Sequence, residues 1–176
     1  FVDGPDNNPI STAEDVFLHL INNARRSVHI TTPYLAIDEP MRQALCSAGD
    51  SGVDVRLLLP GIPDHKFAYL AAQSHYGELV HRVKIYICEP GLLHGKTVLS
   101  DGEAAFVGSV NMDYRSFQLH FECGTVLYGV PAIEGLAEDI QRITDCSHRV
   151  TYQEWKSRPW YRKLLSTLLR LFEMWM

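Results

Sequence analysis

Residues 53–59 read VDVRLLL, and this stretch is bounded by Gly52 before it and Pro60 after it. A short run of Val and Leu between a glycine and a proline is typical of a buried strand. The spacing of apolar residues predicts a helix on each side of it, over about 39–48 and 64–76. Alternation of strands and helices predicts βαβ units, and therefore parallel strands at the centre of a sheet.

Further elements extend this pattern in both directions along the chain. They are a helix that begins after the capping-box pair Ser11 and Glu14, strands over 27–31, 83–87 and 121–127, a hairpin that turns at Asp101-Gly102, and a helix over 131–146. We therefore expect an α/β fold with a mixed, mostly parallel sheet flanked by helices. One catalytic domain over 1–159 and an amphipathic helix over 160–176 make up the predicted organisation.

Composition narrows the class of protein. The 176 residues are 46% hydrophobic and carry a net charge of −5, which is typical of a globular domain and argues against a nucleic-acid partner. Four widely spaced cysteines without a CxxC pair favour reduced thiols over a zinc site or disulfides. The sequence contains no run of about 18 apolar residues, so it predicts no membrane span. The turn-rich opening without Met indicates a piece of a longer protein.

The hairpin region contains the residues with chemical potential. His94 and Lys96 are two positions apart, so on a strand their side chains point to one face. The hairpin returns the chain, and it brings Ser109 and Asn111 back to the same end of the sheet. Glu122, near the start of the next strand, could then reach the far nitrogen of His94.

This set of side chains suits a phosphodiester. Lys96 and Asn111 can bind non-bridging oxygens and stabilise charge in the transition state. His94 can attack phosphorus or protonate a leaving alkoxide near neutral pH, and Glu122 can support its imidazolium. No metal or other cofactor is required. Asp101, beside Gly102, is more typical of a hairpin turn residue than of a catalytic acid.

The combined pattern resembles the phospholipase D superfamily. Its parts are His-x-Lys, an Asp five residues beyond the Lys, Gly108-Ser109-x-Asn111, and a carboxylate on the next strand. Other stretches are similar to bacterial cardiolipin synthases in particular, so that the resemblance covers nearly the whole chain. They are Thr32-Pro33-Tyr34, LPGIPDH at 59–65, NMDYRSF at 111–117 and WKSRPW at 155–160.

The resemblance implies a two-motif enzyme in which one histidine becomes phosphorylated and the other is general acid and base. A phosphatidyl group would pass from one phosphatidylglycerol to another and release glycerol. This chain contains one motif and is similar to the C-terminal half, so His94 is assigned the acid/base role, with nucleophile as the alternative. The other roles implied are phosphate binding by Lys96 and Asn111, support from Ser109, orientation of His94 by Glu122, and structural duty for Gly108 and Asp101.

The resemblance also implies partners and a location. The motif that this chain lacks would come from an upstream half of the same polypeptide, which we favour, or from a second copy in a homodimer. Phosphatidylglycerol and the cytoplasmic face of the bacterial inner membrane would be the substrate and the surface, with attachment through upstream segments. His65 and Tyr34 follow predicted strands and are expected to contact a lipid headgroup. Residues 160–176 could contact the membrane, or they could pack on the upstream half or on this domain itself.

Two other functions remain open from the sequence. One is a single-motif, dimeric phosphodiesterase or nuclease of the same superfamily, against which the net acidity argues. The other is a non-catalytic module that binds lipid or a partner. The presence of His94, Lys96, Asn111 and Glu122 together makes this last function less attractive.

Overall fold

A computed structural model describes residues 1–5 and 11–171 and shows one large sheet covered by helices on both faces. The strands are β1 (Val2–Asp3), β2 (Ser27–Thr31), β3 (Leu35–Ala36), β4 (Asp54–Pro60), β5 (Lys84–Cys88), β6 (Thr97–Ser100), β7 (Ala104–Gly108), β8 (Met112–Asp113), β9 (Glu122–Tyr128) and β10 (Ser147–Arg149). The helices are α1 (Thr12–Asn22), α2 (Glu39–Asp50), α3 (Lys66–Leu79), α4 (Tyr114–Gln118), α5 (Ala132–Asp145), α6 (Tyr152–Ser157) and α7 (Trp160–Arg170).

The strand order of the large sheet is β1-β9-β7-β6-β2-β4-β5-β10, and β3 pairs with β8 in a small second sheet. The α/β class and the mixed sheet are confirmed. The expectation that parallel pairing predominates is wrong: in the large sheet only β2–β4 and β4–β5 are parallel among the described residues. The reason is that each βαβ crossover adds one parallel pair, whereas the hairpin and the outer strands add only antiparallel pairs.

Two apolar clusters hold the layers together. On one face, α1, α2 and α3 cover the sheet through large buried side chains such as Phe17, Leu45 and Leu79. On the other face, α5 packs Ile133 and Ile140 against the second cluster. The sheet centre is therefore buried on both sides, which explains the continuous apolar run of β4.

The ends of the elements follow from local chemistry. Ser11 accepts a hydrogen bond from the Glu14 amide at 3.1 Å and begins α1, as the sequence predicts. Asp101 and Gly102 both have positive φ, 55° and 70°, which gives the tight hairpin turn between β6 and β7. Asp101 also accepts hydrogen bonds from the amides of Arg25, Arg26 and Ser27 at 2.7–2.9 Å. Its carboxylate thus joins the hairpin turn to the loop between α1 and β2.

Helix α7 packs along α3 through a narrow face on which Ser166 is buried. Leu164, Leu165 and Leu168 point to solvent instead, and 42–52% of the surface of each residue is exposed. The predicted amphipathic helix is observed over 160–170, while Phe172 and Trp175 of that prediction lie outside the described residues. No helix in the described part of the chain is long and apolar enough to cross a membrane.

Candidate active site

The site residues gather where β2 and β4 end and β6 begins. Strand β6 begins at Thr97, so His94 and Lys96 lie in the loop just before it rather than on the strand itself. Lys96 folds back and donates to His94 Nδ1 and to the His94 carbonyl, both at 2.8 Å. The two side chains therefore lie together, as the spacing predicts, although the loop and not a strand brings them together.

The returning strand of the hairpin brings in the second pair. Ser109 follows the end of β7, its amide donates to the Cys123 carbonyl at 2.9 Å, and its hydroxyl accepts from the Cys123 amide at 3.0 Å. The close pairing here requires glycine at the end of β7, because a Cβ on Gly108 would lie 2.4 Å from the Cys123 carbonyl oxygen. Gly108 thus has a steric role in positioning Ser109.

Asn111 is held by the element that follows the hairpin. Its Nδ2 donates to the Ser116 hydroxyl of α4 at 3.2 Å, while its Oδ1 is buried without a hydrogen-bond partner in the described structure. The strand pair β3–β8 places residue 112 beside Leu35, so Asn111 lies close to the Tyr34 loop. A buried acceptor without a partner at this position is typical of a site that binds a ligand.

Glu122 lies at the first position of β9 and is 8% exposed. The sequence suggested that it would contact His94, but its hydrogen bond goes to the hydroxyl of Ser109, and its nearest histidine contact is His120 Nδ1 at 4.0 Å. The predicted contact with His94 is therefore wrong for this chain. The reason is geometric: β9 lies next to β7, so its first residue meets the end of β7 first.

Asp64 is the carboxylate that the sequence argument missed. Its Oδ2 lies 3.8 Å from His94 Nε2, and it accepts a hydrogen bond from the Tyr34 hydroxyl. Helix α3 begins after His65 without a side-chain cap, so the Asp64 carboxylate does not cap this helix. The only signal in the sequence was its place in the loop after β4, at the edge where β2 ends.

Two aromatic contacts complete the group around His94. The Tyr34 ring centroid lies 6.4 Å from that of His94, edge-on, and 6.1 Å from that of His65. Of the two predicted headgroup contacts, Tyr34 therefore lies beside His94, and His65 lies beside Tyr34. They also line a cavity that reaches Asn111.

Burial and charge shift several ionisation equilibria here. Burial lowers the pKa of Lys96, although the carboxylates of Glu122, Asp64 and Asp113 act in the opposite direction. Burial also acts to raise the pKa of Asp64, but hydrogen bonds from Tyr34 and from the His65 amide outweigh it and hold that pKa below its usual range. The site therefore combines an anionic carboxylate beside His94 with a partly desolvated lysine, which suits binding of an anionic group.

Within residues 1–5 and 11–171, no group of three or more His, Cys, Asp or Glu side chains is arranged to hold a metal ion.

Comparison with known proteins places the chain in a family. The family described as "Cardiolipin synthase, PLD-like domain" matches residues 17–144, which include all the site residues above. The chain is a member of this cardiolipin synthase, PLD-like family. It is 37% identical to a cardiolipin synthase of Clostridium perfringens, over 96% of this chain and 35% of that protein. It is also 36% identical to the major cardiolipin synthase ClsA of Bacillus subtilis, over 88% of this chain and 32% of that protein.

Solved structures show the same fold. The phospholipase D family member Nuc of Salmonella typhimurium matches with a TM-score of 0.72 and 18% identity, over 86% of this chain and 97% of that one. A phosphatidylserine synthase of Haemophilus influenzae matches with a TM-score of 0.75 and 17% identity, over 99% of this chain and 46% of that one. This member of the PLD-like family spans about a third of the length of the curated relatives named above.

Proposed function

We propose that this chain is the C-terminal catalytic part of a phosphatidyl transferase that forms cardiolipin from two molecules of phosphatidylglycerol. The observation that carries the proposal is the convergence of His94, Lys96, Ser109 and Asn111 at one edge of the sheet, in a chain of the cardiolipin synthase, PLD-like family. An imidazole, an ammonium and an amide at one place suit a phosphodiester better than an ester or a glycoside, because each can bind or protonate phosphate oxygens.

In the proposed reaction, the histidine of the other, upstream motif attacks the phosphorus of one phosphatidylglycerol. The bond between phosphorus and the glycerol oxygen breaks, and His94 gives its proton to that oxygen, so that glycerol leaves. His94 then takes the proton from the primary hydroxyl of a second phosphatidylglycerol, whose oxygen bonds to phosphorus. The bond between phosphorus and the attacking histidine breaks at the same time, so that this histidine is free again. The alternative assignment makes His94 the attacking histidine.

The other residues have supporting roles in this scheme. Lys96 and Asn111 bind the non-bridging oxygens and stabilise charge on the five-coordinate phosphorus. Asp64, rather than Glu122, lies where a carboxylate can stabilise the His94 imidazolium. Glu122 accepts a hydrogen bond from the Ser109 hydroxyl, and so it acts on the site through Ser109.

The other motif of the site comes, in this proposal, from an upstream half of the same polypeptide. The support is that this chain spans about a third of its cardiolipin synthase relatives, which leaves length for another motif-bearing domain in a protein of that size. Two copies of this chain around a shared site are the alternative.

Attachment to the cytoplasmic face of the bacterial inner membrane is proposed to use upstream segments together with α7. Helix α7 leaves Leu164, Leu165 and Leu168 exposed while Ser166 faces α3. Basic residues lie on α7 and just before it, namely Lys156, Arg158, Arg162, Lys163 and Arg170. Arg158 and Arg170 among them bind Gln73 and Glu78 of α3. An exposed apolar face with basic neighbours suits a surface of anionic lipid.

Cardiolipin formation from phosphatidylglycerol in mixed micelles tests the proposal. The chain is assayed alone and together with the corresponding N-terminal part of the longer protein, each time beside His94→Ala. Product from the pair that disappears in His94→Ala would support the transferase. Product from the chain alone that also disappears would favour a homodimer. No cardiolipin from the combined halves, despite folded proteins, would refute the proposal.

A further inference from the structure

A cavity of about 350 Å³ opens beside Asn111, Tyr34 and His65. Strand β3, the first two turns of α3 and the segment from Asp113 to His120 form its walls. Its volume is at the lower end of the range, about 300–1,000 Å³, that holds small-molecule ligands. His94 and Lys96 are not among its lining residues, so most of the cavity has no role in the proposed phosphoryl transfer at His94.

One wall of the cavity is apolar. Leu35 and Ala71 are buried at its base, and Ala68 lies half-buried above them. Phe67 stands at the rim with 68% of its surface exposed, although exposure of a phenyl ring to water is unfavourable. The apolar wall therefore runs from the inside of the cavity outward to an uncovered aromatic ring.

The lining of the cavity also carries positive charge. Lys66 lies at the start of α3, directly before Phe67, and Arg115 lies at the start of α4; both line the cavity. Arg115 Nη2 donates to His120 Nε2 at 2.9 Å. Asp113 is a carboxylate of the lining; it accepts from the Ser116 amide at 2.7 Å, and burial raises its pKa. Two cations thus line the cavity together with the apolar residues.

These features match one half of the proposed reaction. The acceptor phosphatidylglycerol keeps its own phosphate throughout, and three carbon atoms separate the attacking hydroxyl from that phosphate ester. It therefore needs a second cationic site near, but distinct from, the site at Lys96. Asn111 marks the boundary between the two, because it lines the cavity and donates to Ser116, the neighbour of Arg115.

We propose that this cavity is the acceptor site, with the unreacting phosphate at Lys66 and Arg115. The terminal hydroxyl of the acceptor points past Asn111 to His94, and its glycerol and first acyl carbons lie along Leu35, Ala68 and Phe67. The occupant is thus an anionic glycerophospholipid. This inference rests on the proposed function, since it assigns the second substrate of that reaction.

Binding of short-chain lipids to the chain, below their micelle concentration, tests the charge. Dihexanoyl phosphatidylglycerol is titrated and followed by amide NMR shifts, with zwitterionic dihexanoyl phosphatidylcholine as the comparison lipid. We expect Arg115→Gln and Lys66→Gln each to weaken phosphatidylglycerol binding about tenfold, the size of one lost charged hydrogen bond. Arg82→Gln is the matched control, because it removes an equal charge from an exposed pair with Asp50 and should bind as the parent does.

Two results of this titration would overturn the inference. One is equal affinity of the parent chain for the anionic and the zwitterionic lipid. The other is unchanged phosphatidylglycerol binding in both Arg115→Gln and Lys66→Gln. Lys66 is exposed at the surface, so its variant should fold normally and keeps the test valid if Arg115→Gln does not.

The apolar wall has its own test. Phe67→Ser should weaken binding of dihexanoyl phosphatidylglycerol several-fold but leave binding of its deacylated headgroup, glycerophosphoglycerol, unchanged. Loss of both ligands to the same extent, or of neither, would contradict an acyl contact at this wall. Because Phe67 is largely exposed, the substitution should not disturb folding.

The inference and the proposed function can fail separately. Saturable, charge-dependent lipid binding without any cardiolipin formation by the combined halves would keep the acceptor site and refute the transferase. The other outcome is cardiolipin formation at the same rate in the parent, in Arg115→Gln and in Lys66→Gln when phosphatidylglycerol is at low concentration. This result would keep the transferase and refute the acceptor site.

Discussion

At the scale of single residues, Asp64 changes the view of how His94 is supported. Its carboxylate lies 3.8 Å from the imidazole and is itself fixed by the Tyr34 hydroxyl, so under the proposed function Asp64 is the carboxylate that supports His94 as acid and base. The sequence motif draws attention to Glu122, which lies on the strand next in order, whereas the structure brings in a residue thirty positions before His94. Sequence spacing could not show this, because the contact arises from two separate strand ends that meet at one edge.

Replacing Asp64 by Asn should therefore lower the rate of the proposed transfer. The amide keeps the size of the side chain but removes the charge next to His94, and a charge contact of this length is worth about 1 kcal/mol, or roughly fivefold in rate. The measurement is cardiolipin formation by the combined halves.

Tyr34→Phe is the matched control for Asp64→Asn, since it removes the hydrogen bond to Asp64 and leaves the carboxylate. We expect a smaller loss in Tyr34→Phe. If Asp64→Asn were as active as the parent protein, the carboxylate would have no part in supporting His94.

Asp101 has a different task, which its pKa makes measurable. Burial opposes ionisation of this carboxyl, but hydrogen bonds from the amides of Ser27, Arg25 and Arg26 outweigh burial and hold its pKa below the usual value. A carboxyl with a lowered pKa in the folded protein stabilises the fold above the unfolded pKa, near 4, and this stabilisation is lost as pH falls through the folded pKa.

Asp101→Asn should consequently lower the free energy of unfolding by about 1–2 kcal/mol at neutral pH. Asparagine also tolerates the positive φ of this turn, so the substitution isolates the charge. Urea unfolding at pH 7 and at about pH 3 measures the effect. The difference between the parent and Asp101→Asn should shrink at the lower pH, and a difference that grew there would contradict the assignment.

At the scale of elements, the hairpin and its neighbour β9 form the frame of the site. The end of β7 packs so closely on β9 that glycine is needed at both Gly108 and Gly124, and this closeness allows Ser109 to bond the backbone of the next strand. The position of Ser109 thus depends on a strand contact and not on loop conformation alone.

Gly108→Ala should destabilise the fold by about 2 kcal/mol, because the added methyl would lie 2.4 Å from a backbone oxygen that cannot move alone. Gly135→Ala is the contrasting variant: nothing lies within 4 Å of its added methyl, and alanine in helix α5 should stabilise by about 0.5–1 kcal/mol. Thermal unfolding of the two variants beside the parent would measure both. Equal stability of Gly108→Ala and the parent would remove the steric argument.

Most of the elements could be predicted from the sequence, and the reason for the exceptions is physical. Strand β2 and helices α1, α2 and α5 follow apolar periodicity and capping residues closely. Strands β1, β3, β8 and β10 have two or three residues each, too few to show a period. The sheet direction was wrong for a related reason, since periodicity identifies strands but does not show which strands pair.

At the scale of the whole molecule, charge is unevenly distributed. The chain carries −5 overall, yet the region of α6 and α7 holds five Lys and Arg residues beside a set of exposed leucines. An acidic body with one basic and apolar side would orient itself at an anionic membrane, because that side alone is attracted to the surface.

The double substitution Leu164→Gln and Leu168→Gln should reduce binding to phosphatidylglycerol vesicles at least about tenfold, since each buried leucine contributes roughly 1.5–3 kcal/mol. Both side chains point away from α3, so folding should be preserved. Co-sedimentation with vesicles is the measurement, and Val130→Gln, an exposed apolar position just before α5, is the control. Vesicle binding equal to that of the parent would mean that α7 meets a protein surface instead.

The residues around His94 and the residues that line the cavity from α3 lie on different elements, and this separation has a consequence for how related proteins diverge. His94, Lys96, Ser109 and Asn111 are held by the hairpin and its neighbours, whereas Lys66, Phe67 and Ala68 belong to the first turn of a helix. Substitutions in that turn alter the cavity and leave the hairpin untouched. Under the proposed function, selection can therefore change which alcohol accepts the phosphatidyl group while the residues that break and form the bonds stay the same.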